Sequence, residues 1–461
     1  MTLIITLLEA ALLLAAGYLF THRALPRLYV KAGERLGFDM KLAPHWVKRI
    51  ARFKTIKRGY YSFLIVTTLF VMSLFLEFMV NNKPLFIRYN STVAFPAAAE
   101  WLDGLLFFKA PSAMDRKADY GQVGDDQVDY RLFAAARRDP SVFDEQLKTL
   151  AGELAAIRAQ LGRKPGPKAT AEERQDYQDL QDIVPAIEAD MKTLADAKAV
   201  FAAGKASVLM PVYPYSPREH LLDMPGRPPH RPGATHLLGT DDSGADVFAQ
   251  LVYGFRISMS FALIVSFTGY VIGIIIGGVM GYFGGWVDIV TQRFIEIWAS
   301  VPFLFMLIII ASIVQPTFLL LVSLIVILQG WVSISYYIRG EFYREKSRDY
   351  VHAAVAMGAS EWSVMMKHIL PNSLVPLVTF APFNVVGTIG SLVSLDYLGF
   401  GMPVGTPSWG ALLDQGMKYL KYYPHLILTP SIAMALTLFM VVMIGEAVRE
   451  AFDPKVFSRL R

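Results

Sequence analysis

The sequence predicts an all-α polytopic membrane protein, and three observations lead there. Hydrophobic residues fill 54% of the 461 positions, with a mean hydropathy of +0.39, more apolar than a soluble core of this length needs. Those residues fall in long blocks. Lys and Arg gather at the block ends.

Each crossing helix takes roughly 20 mostly apolar residues. The stretches that qualify are Leu3–Phe20, Tyr60–Val80, Ile257–Phe283, Phe294–Ile313, Leu319–Ile338, Leu374–Leu395 and Leu426–Ile444. The first has no basic region before its apolar core, so it reads as a retained helix rather than a cleaved signal peptide. Glu9 within it is expected to be protonated or paired with a neighbouring helix.

Basic flanks tend to stay in the cytoplasm, and this sets the orientation. Between the first two stretches stand Arg23, Arg27, Lys31, Arg35, Lys41, Lys48, Arg49, Arg52, Lys54, Lys57 and Arg58, opposed only by Glu34 and Asp39. Counting crossings from that cytoplasmic segment puts Asn81–Gly254 and the N-terminus outside. Arg339–Ser373 and the tail with Arg449, Lys455, Arg459 and Arg461 fall inside. The formal charge of +5 is accounted for by these flanks and gives no separate case for nucleic acid. The chain has no cysteine, which excludes disulfides, thiol chemistry and thiolate metal sites.

The expected organisation is therefore an extra N-terminal transmembrane helix over 1–22, a basic cytoplasmic segment over 23–59 and a first core helix over 60–80. A periplasmic segment over 81–254 follows, then a transmembrane domain over 255–447 and a cytoplasmic tail over 448–461. The periplasmic segment is too long for a plain loop. A helical hairpin is predicted at about 140–203. Leu147, Leu150, Leu154, Ile157 and Leu161 recur at helical spacing, Pro165, Gly166 and Pro167 break the run, and Thr170 with Glu173 forms a capping-box pattern. Tyr177, Leu180, Val184, Ile187, Met191 and Leu194 then draw a second stripe, which should zip against the first. Docking of a soluble partner and plain stabilisation are both open to this hairpin.

The stretch from Pro211 to Pro232 holds too many prolines for helix or central strand and reads as an extended linker. Its His220, His230 and His236 lack zinc-site spacing. In the next crossing Gly269, Gly273, Gly277 and Gly281 recur every fourth residue, a bare face that lets another helix approach closely. The sequence leaves open whether that neighbour lies in this chain or in a second subunit.

Between two crossings lies RDYVHAAVAMGASEWSVMMKHILPNSL, from Arg348 to Leu374, neither apolar nor disordered in composition. Tyr350 to Met357 predicts a short helix rich in small residues, and Gly358 supplies a sharp turn. Ser360 caps a second helix whose dipole suits Glu361 and which should present Trp362, Met365, Met366 and Ile369 on one side. Two short helices with a bend can fit a groove in another protein. An amphipathic loop lying on the membrane has the same pattern.

The stretch resembles the coupling loop of ABC importer permeases, in which Glu-Ala-Ala is followed after three residues by Gly and after nine more by Ile, any residue, Leu and Pro. Ala353, Ala354, Gly358, Leu370 and Pro371 match in register. His352 replaces the acidic residue, and His368 stands at the usual Ile position with Ile369 beside it. GTDDSGADVFAQLVYGFRISMSFA (Gly239–Ala262) is similar to the segment entering the permease domain of peptide transporters, with Ala245 where Arg is usual. SLDYLGFGMPVGTPSWGALL (Ser394–Leu413), FIEIWASVPFLFMLIIIA (Phe294–Ala311) and IGEAVREAFDPK (Ile444–Lys455) extend the likeness, which covers about 48–89 and 213–455. The first helix and the hairpin are additions to this pattern.

The resemblance implies a type I ABC importer permease core of six helices, with the extra N-terminal transmembrane helix and the periplasmic helical insertion added. It also implies a bacterial inner-membrane location, a coupling loop over about 340–373, and docking of an ATPase against His352, Ala353, Ala354, Gly358, Trp362, Leu370 and Pro371. Expected partners are a second permease subunit, a cytoplasmic ATPase and a periplasmic peptide-binding protein. Peptides, either oligopeptide or microcin C-like, are the implied cargo, with dipeptide or nickel as alternatives.

No GxxxxGK[ST] loop occurs, so ATP and magnesium belong to the partner and this chain carries no cofactor. Asn384, Thr388 and Ser391 share one helix face, and lining of the translocation path and bonding between packed helices are both open to them. An intramembrane enzyme or a scaffold or channel subunit is the competing class. Neither GxSxG nor HExxH is present, and Asp241, Asp242 and Asp246 lack the alternation of a calcium loop.

Overall fold

The computed structural model describes residues 44–106, 128–162, 171–221, 224, 226–314, 317–403 and 405–453. The predicted Leu3–Phe20 helix, the Pro165–Pro167 breaker, Thr170 of the capping box and the end of the C-terminal tail lie outside the described residues. The chain divides into two compact units, Met1–Leu74 with His220–Arg461, and Phe75–Glu219.

Among the described residues the first unit opens with α1 (Pro44–Thr55), an amphipathic helix without acidic residues, and α2 (Lys57–Ser73). The predicted Tyr60–Val80 crossing is shorter than expected. Helix α2 spans about 25 Å at 1.5 Å per residue, and a 3-10 turn at Leu76–Phe78, with Glu77 buried, belongs to the second unit.

The second unit departs from the all-α expectation by holding a small antiparallel sheet. Its strands β1 (Phe86–Tyr89), β2 (Thr92–Ala94) and β3 (Ala206–Leu209) lie in the order β2-β1-β3, with Ile87 opposite Ala94 and Val208. Strands of three or four residues are too short to show a period of two against the neighbouring helical pattern. Helices α3 (Pro96–Leu106) and α4 (Tyr130–Ala136) precede a hairpin of α5 (Val142–Leu161) and α6 (Ala171–Ala202). The hairpin runs antiparallel. Lys198 bonds Asp144 at 2.5 Å, Arg158 bonds Glu188 at 2.5 Å, and Tyr177 donates to the Leu161 carbonyl at 3.3 Å. Phe133, Phe143 and Phe201 pack ring on ring in the core, and Tyr89 of β1 stacks on Phe133. Arg131 closes the unit with a two-pronged bond to Glu219 at 2.6 and 2.8 Å.

The first unit resumes at His220. Its packing boundary cuts the predicted 81–254 segment, because Asp241 and Asp246 build a lead-in to the next helix. Asp241 accepts bonds from the Ser243 and Ala245 amides and from the Gln250 side chain. Asp246 caps the Ala249 amide and bonds His236 at 2.8 Å. With its lead-in held this way, α7 (Val247–Phe283) starts ten residues ahead of the predicted crossing and ends at Gly284, φ +64°. Helices α8 (Gly285–Ser300) and α9 (Phe303–Ile313) follow at 67° to each other, so the predicted Phe294–Ile313 span is broken at Pro302. Proline has no amide hydrogen and disfavours helix at the residue before it. Helices α10 (Phe318–Gly330) and α11 (Val332–Lys346) meet at 45°, after a π-turn over Val326–Gly330, within the predicted Leu319–Ile338 span. Then come α12 (Asp349–Ala356), α13 (Glu361–Tyr397), α14 (Trp409–Lys418) and α15 (His425–Phe452). Helices α7, α13 and α15 are each long and apolar enough to cross a membrane, and the two bent pairs raise the number to five among the described residues.

The glycine face of α7 packs within this chain. A Cβ on Gly269 would lie 2.5 Å from the Gly330 carbonyl, one on Gly273 2.7 Å from Ile334, one on Gly277 2.3 Å from the Ser335 carbonyl, and one on Gly281 2.6 Å from the Arg339 carbonyl. All four positions face the α10–α11 backbone with no room for a side chain. The ends of α8 and α11 are tied by Arg339, whose guanidinium grips both oxygens of Asp288, the second at 2.6 Å, while the Tyr343 hydroxyl donates to the same carboxylate at 2.8 Å. At the same end, Arg58 at the start of α2 pairs with Glu450 of α15 at 3.4 Å, and Lys346 reaches the Tyr282 carbonyl at 2.5 Å. The basic flanks of α2, α11 and α15 thus lie at one end of the unit.

Gly277→Ala should lower the thermal unfolding midpoint of the detergent-purified chain, because overpacking costs about 1–3 kcal/mol. Gly340→Ala, where nothing lies within 4 Å of the new Cβ, should hold the midpoint or raise it.

Candidate functional site

The segment that joins α11 to α13 folds as a bent pair of helices at the basic end of the first unit. Helix α12 stops at Met357. Gly358 turns the chain at φ +81°, a conformation that L side chains rarely adopt. The Ser360 hydroxyl accepts from the Ser363 amide at 3.4 Å, capping the start of α13. From Val364 to Ile369 this helix is widened into a π-turn, and that changes which residues share a face.

The predicted single stripe is therefore divided. Met365 and Ile369 turn inward with Val364, while Trp362 and Met366 are exposed. Ala354 is also turned inward, at 2% exposure. It cannot offer a small contact to a partner as the sequence led one to expect. The outward surface is made by His352, Ala353, Val355, Met357, Gly358 and Trp362, with Met357 81% and Trp362 70% exposed. Pro371 is exposed and Leu370 half-buried. A Cβ on Gly358 would meet nothing within 4 Å, so glycine is needed there for its backbone angle rather than for space.

The bent pair is held to α11 by a buried carboxylate that sequence reasoning missed. Glu345 is 7% exposed and accepts a bond from the Tyr350 hydroxyl at 2.7 Å. Asn372 donates to the same hydroxyl at 3.1 Å and to the His368 carbonyl at 3.0 Å. Arg344 reaches the other Glu345 oxygen at 3.3 Å. Burial first, and then the bond to Glu345, pushes the Tyr350 phenol above its ordinary pKa, so the hydroxyl stays a donor around neutral pH. One hub thus joins the last turn of α11, the first turn of α12 and the early part of α13. In sequence it is only a Glu between Arg344 and Lys346, and no spacing rule links it to Tyr350 and Asn372.

The predicted path residues are placed otherwise than as an open polar stripe. Asn384 donates to Ser266 of α7 at 3.1 Å, and Thr388, 8% exposed, donates back to the Asn384 carbonyl at 2.9 Å. Both serve packing between or within helices, as small polar side chains in lipid commonly do. Ser391 is half-buried and bonds the Gly387 carbonyl at 3.0 Å. Among the described residues no group of three or more His, Asp or Glu is placed to hold a metal ion.

A sequence model described as the binding-protein-dependent transport system inner membrane component matches residues 269–458, which takes in the glycine face and the whole bent pair. The chain is also 34% identical, over 90% of its length, to the peptidoglycan transport system permease protein YejE of Agrobacterium fabrum, of which it covers 94%. The chain belongs to the ABC transporter permease family. Against the inner membrane ABC transporter permease protein YejE of Escherichia coli the identity is 34%, covering 90% of this chain and 98% of that one. Against the oligopeptide transport system permease protein OppC of Haemophilus influenzae it is 35%, covering 48% of this chain and 70% of that one. As a member of this family the chain is an inner-membrane permease subunit and not itself an enzyme.

Tyr350→Phe removes the donor to Glu345 and the acceptor for Asn372. Amide hydrogen exchange over Asp349–Met357 should speed up about tenfold, on a bond worth about 1.5 kcal/mol to a charged group, while exchange in α7 stays unchanged.

Proposed function

We propose that this permease subunit carries peptides into the cytoplasm by alternating access, driven by ATP hydrolysis in a partner. The observation that carries the reading is the exposed outer face of the bent pair, anchored through Glu345 to a helix packed along the glycine face of α7. A protein gripping Met357 and Trp362 has a stiff path into the membrane helices. ATP binding would close the ATPase pair, shift the bent segment and bias the helices toward an outward-open arrangement, a population shift through rigid contacts.

The basic end of the unit faces the cytoplasm in this reading, with the C-terminus inside and the N-terminus outside. The assembly comprises a YejB-like second permease, a YejF-like ATPase that binds ATP and magnesium, and a YejA-like external binding protein. The cargo class is peptidic, in keeping with relatives named for oligopeptide, dipeptide and peptidoglycan transport. The cargo is an oligopeptide or a microcin C-like peptide.

Trp362→Glu and Met357→Glu should leave the chain in the membrane with its second permease and reduce peptide-stimulated ATP hydrolysis at least tenfold, because each places a charge in a closed contact. Full stimulation in both variants would reject the docking role. Enlarging Ala354, which is buried, would disturb the chain's own packing and so does not probe the contact.

A further inference from the structure

At the basic end of the first unit an open cleft of about 460 Å³ lies between α1, the last turns of α11 and α15, and the early part of α13. Three guanidinium groups line it, those of Arg49, Arg344 and Arg348, against one carboxylate, Glu345. Glu345 is already occupied by Tyr350 and Arg344, and Glu341 pairs with Arg344 from behind. Arg49 sits with its charge 5.0 Å over the Phe452 ring, and desolvation by burial lowers its pKa below the ordinary value. The remaining walls include Val375 and the Phe452 ring, so the cleft joins a cationic floor to apolar sides.

We propose that this cleft binds the phosphate of an anionic phospholipid at the inner leaflet, with the acyl region running along Val375 and Phe452. Arginine suits the task because its planar fork matches phosphate oxygens in pairs. A lipid is favoured over an acidic side chain of a partner protein for two reasons. A carboxylate side chain has no apolar continuation to lie on Val375 and Phe452. The neighbouring α1 has the form of an interfacial helix, with Val47 and Ile50 exposed on a helix that also carries Lys48, Arg52 and Lys54 and no acidic residue. A lipid held there touches both the helix that carries the hub and the base of the bent pair.

The inference rests on the orientation proposed above, and it is tested on the purified full-length chain without ATPase or peptide, so failure of lipid binding and failure of transport are read separately. Thermal unfolding midpoints in detergent micelles are measured against added dioleoylphosphatidylglycerol, dioleoylphosphatidylcholine and inorganic phosphate. Phosphatidylglycerol should raise the midpoint of the native chain, and phosphatidylcholine and inorganic phosphate should not. In Arg49→Gln/Arg348→Gln the lipid concentration needed should rise about tenfold or more, whereas Lys148→Gln/Lys192→Gln, which removes the same charge from exposed positions of the hairpin, should respond as the native chain does. If the double variant gives no folded protein, Arg348→Gln alone is the probe, and it should need severalfold more lipid. An equal response to inorganic phosphate would overturn the lipid assignment in favour of a soluble anion. A response to phosphatidylglycerol that survives in the cleft variants would overturn the site.

Discussion

Backbone-to-backbone contact along the glycine face of α7 is the constraint on which the rest of the first unit depends. In lipid, burying an apolar side chain against another helix gains little over leaving it among acyl tails, so close packing and hydrogen bonding must hold helices together. Four glycines in register let the α10–α11 backbone approach within a distance that no Cβ could tolerate. That contact tolerates the 45° bend at Gly330 and Trp331, because Gly269 faces Gly330 itself. Below it, the Asp288–Arg339–Tyr343 group fixes α8 to the same helix. Helix α11 is therefore held on two sides before it reaches its basic end.

What happens at that end follows from where α11 is placed. Its last turn carries Glu345, and a buried carboxylate needs donors. Tyr350 and Arg344 supply them, and Asn372 orders the tyrosine from the side of α13. The bent pair then has little freedom relative to α11. A stiff junction is what the proposed role demands, since a displacement imposed on Met357 and Trp362 reaches the membrane helices only if the segment does not yield first.

Much of this was legible in the sequence, and the exceptions have physical causes. Period-four glycines announced a close helix contact, because only that use explains their spacing in an apolar run. Gly358 and Ser360 announced a turn and a cap from backbone chemistry alone. What sequence could not give was the radial direction of side chains in the bent pair. A π-turn over Val364–Ile369 breaks the 3.6 period, so Trp362 and Ile369 part company; in α12, the neighbours Ala353 and Ala354 are alike in sequence, and which of them faces inward is set by the packing of that helix. The Glu345 hub crosses the break between two helices, the Asn384–Ser266 bond and the Arg58–Glu450 pair join residues far apart in sequence, and periodicity reports neither kind of partner. The short strands of the second unit were hidden for the opposite reason, having too few residues to show any period.

The absence of native cysteine makes one measurement direct. A single cysteine introduced at Met357, in the assembled transporter, should form a crosslink through a short bifunctional reagent to the ATPase, with a yield that changes when ATP is bound. A cysteine at Ser391 should form none. Crosslinking of the Met357 position only to the external binding protein, or to no other subunit in any nucleotide state, would contradict the account.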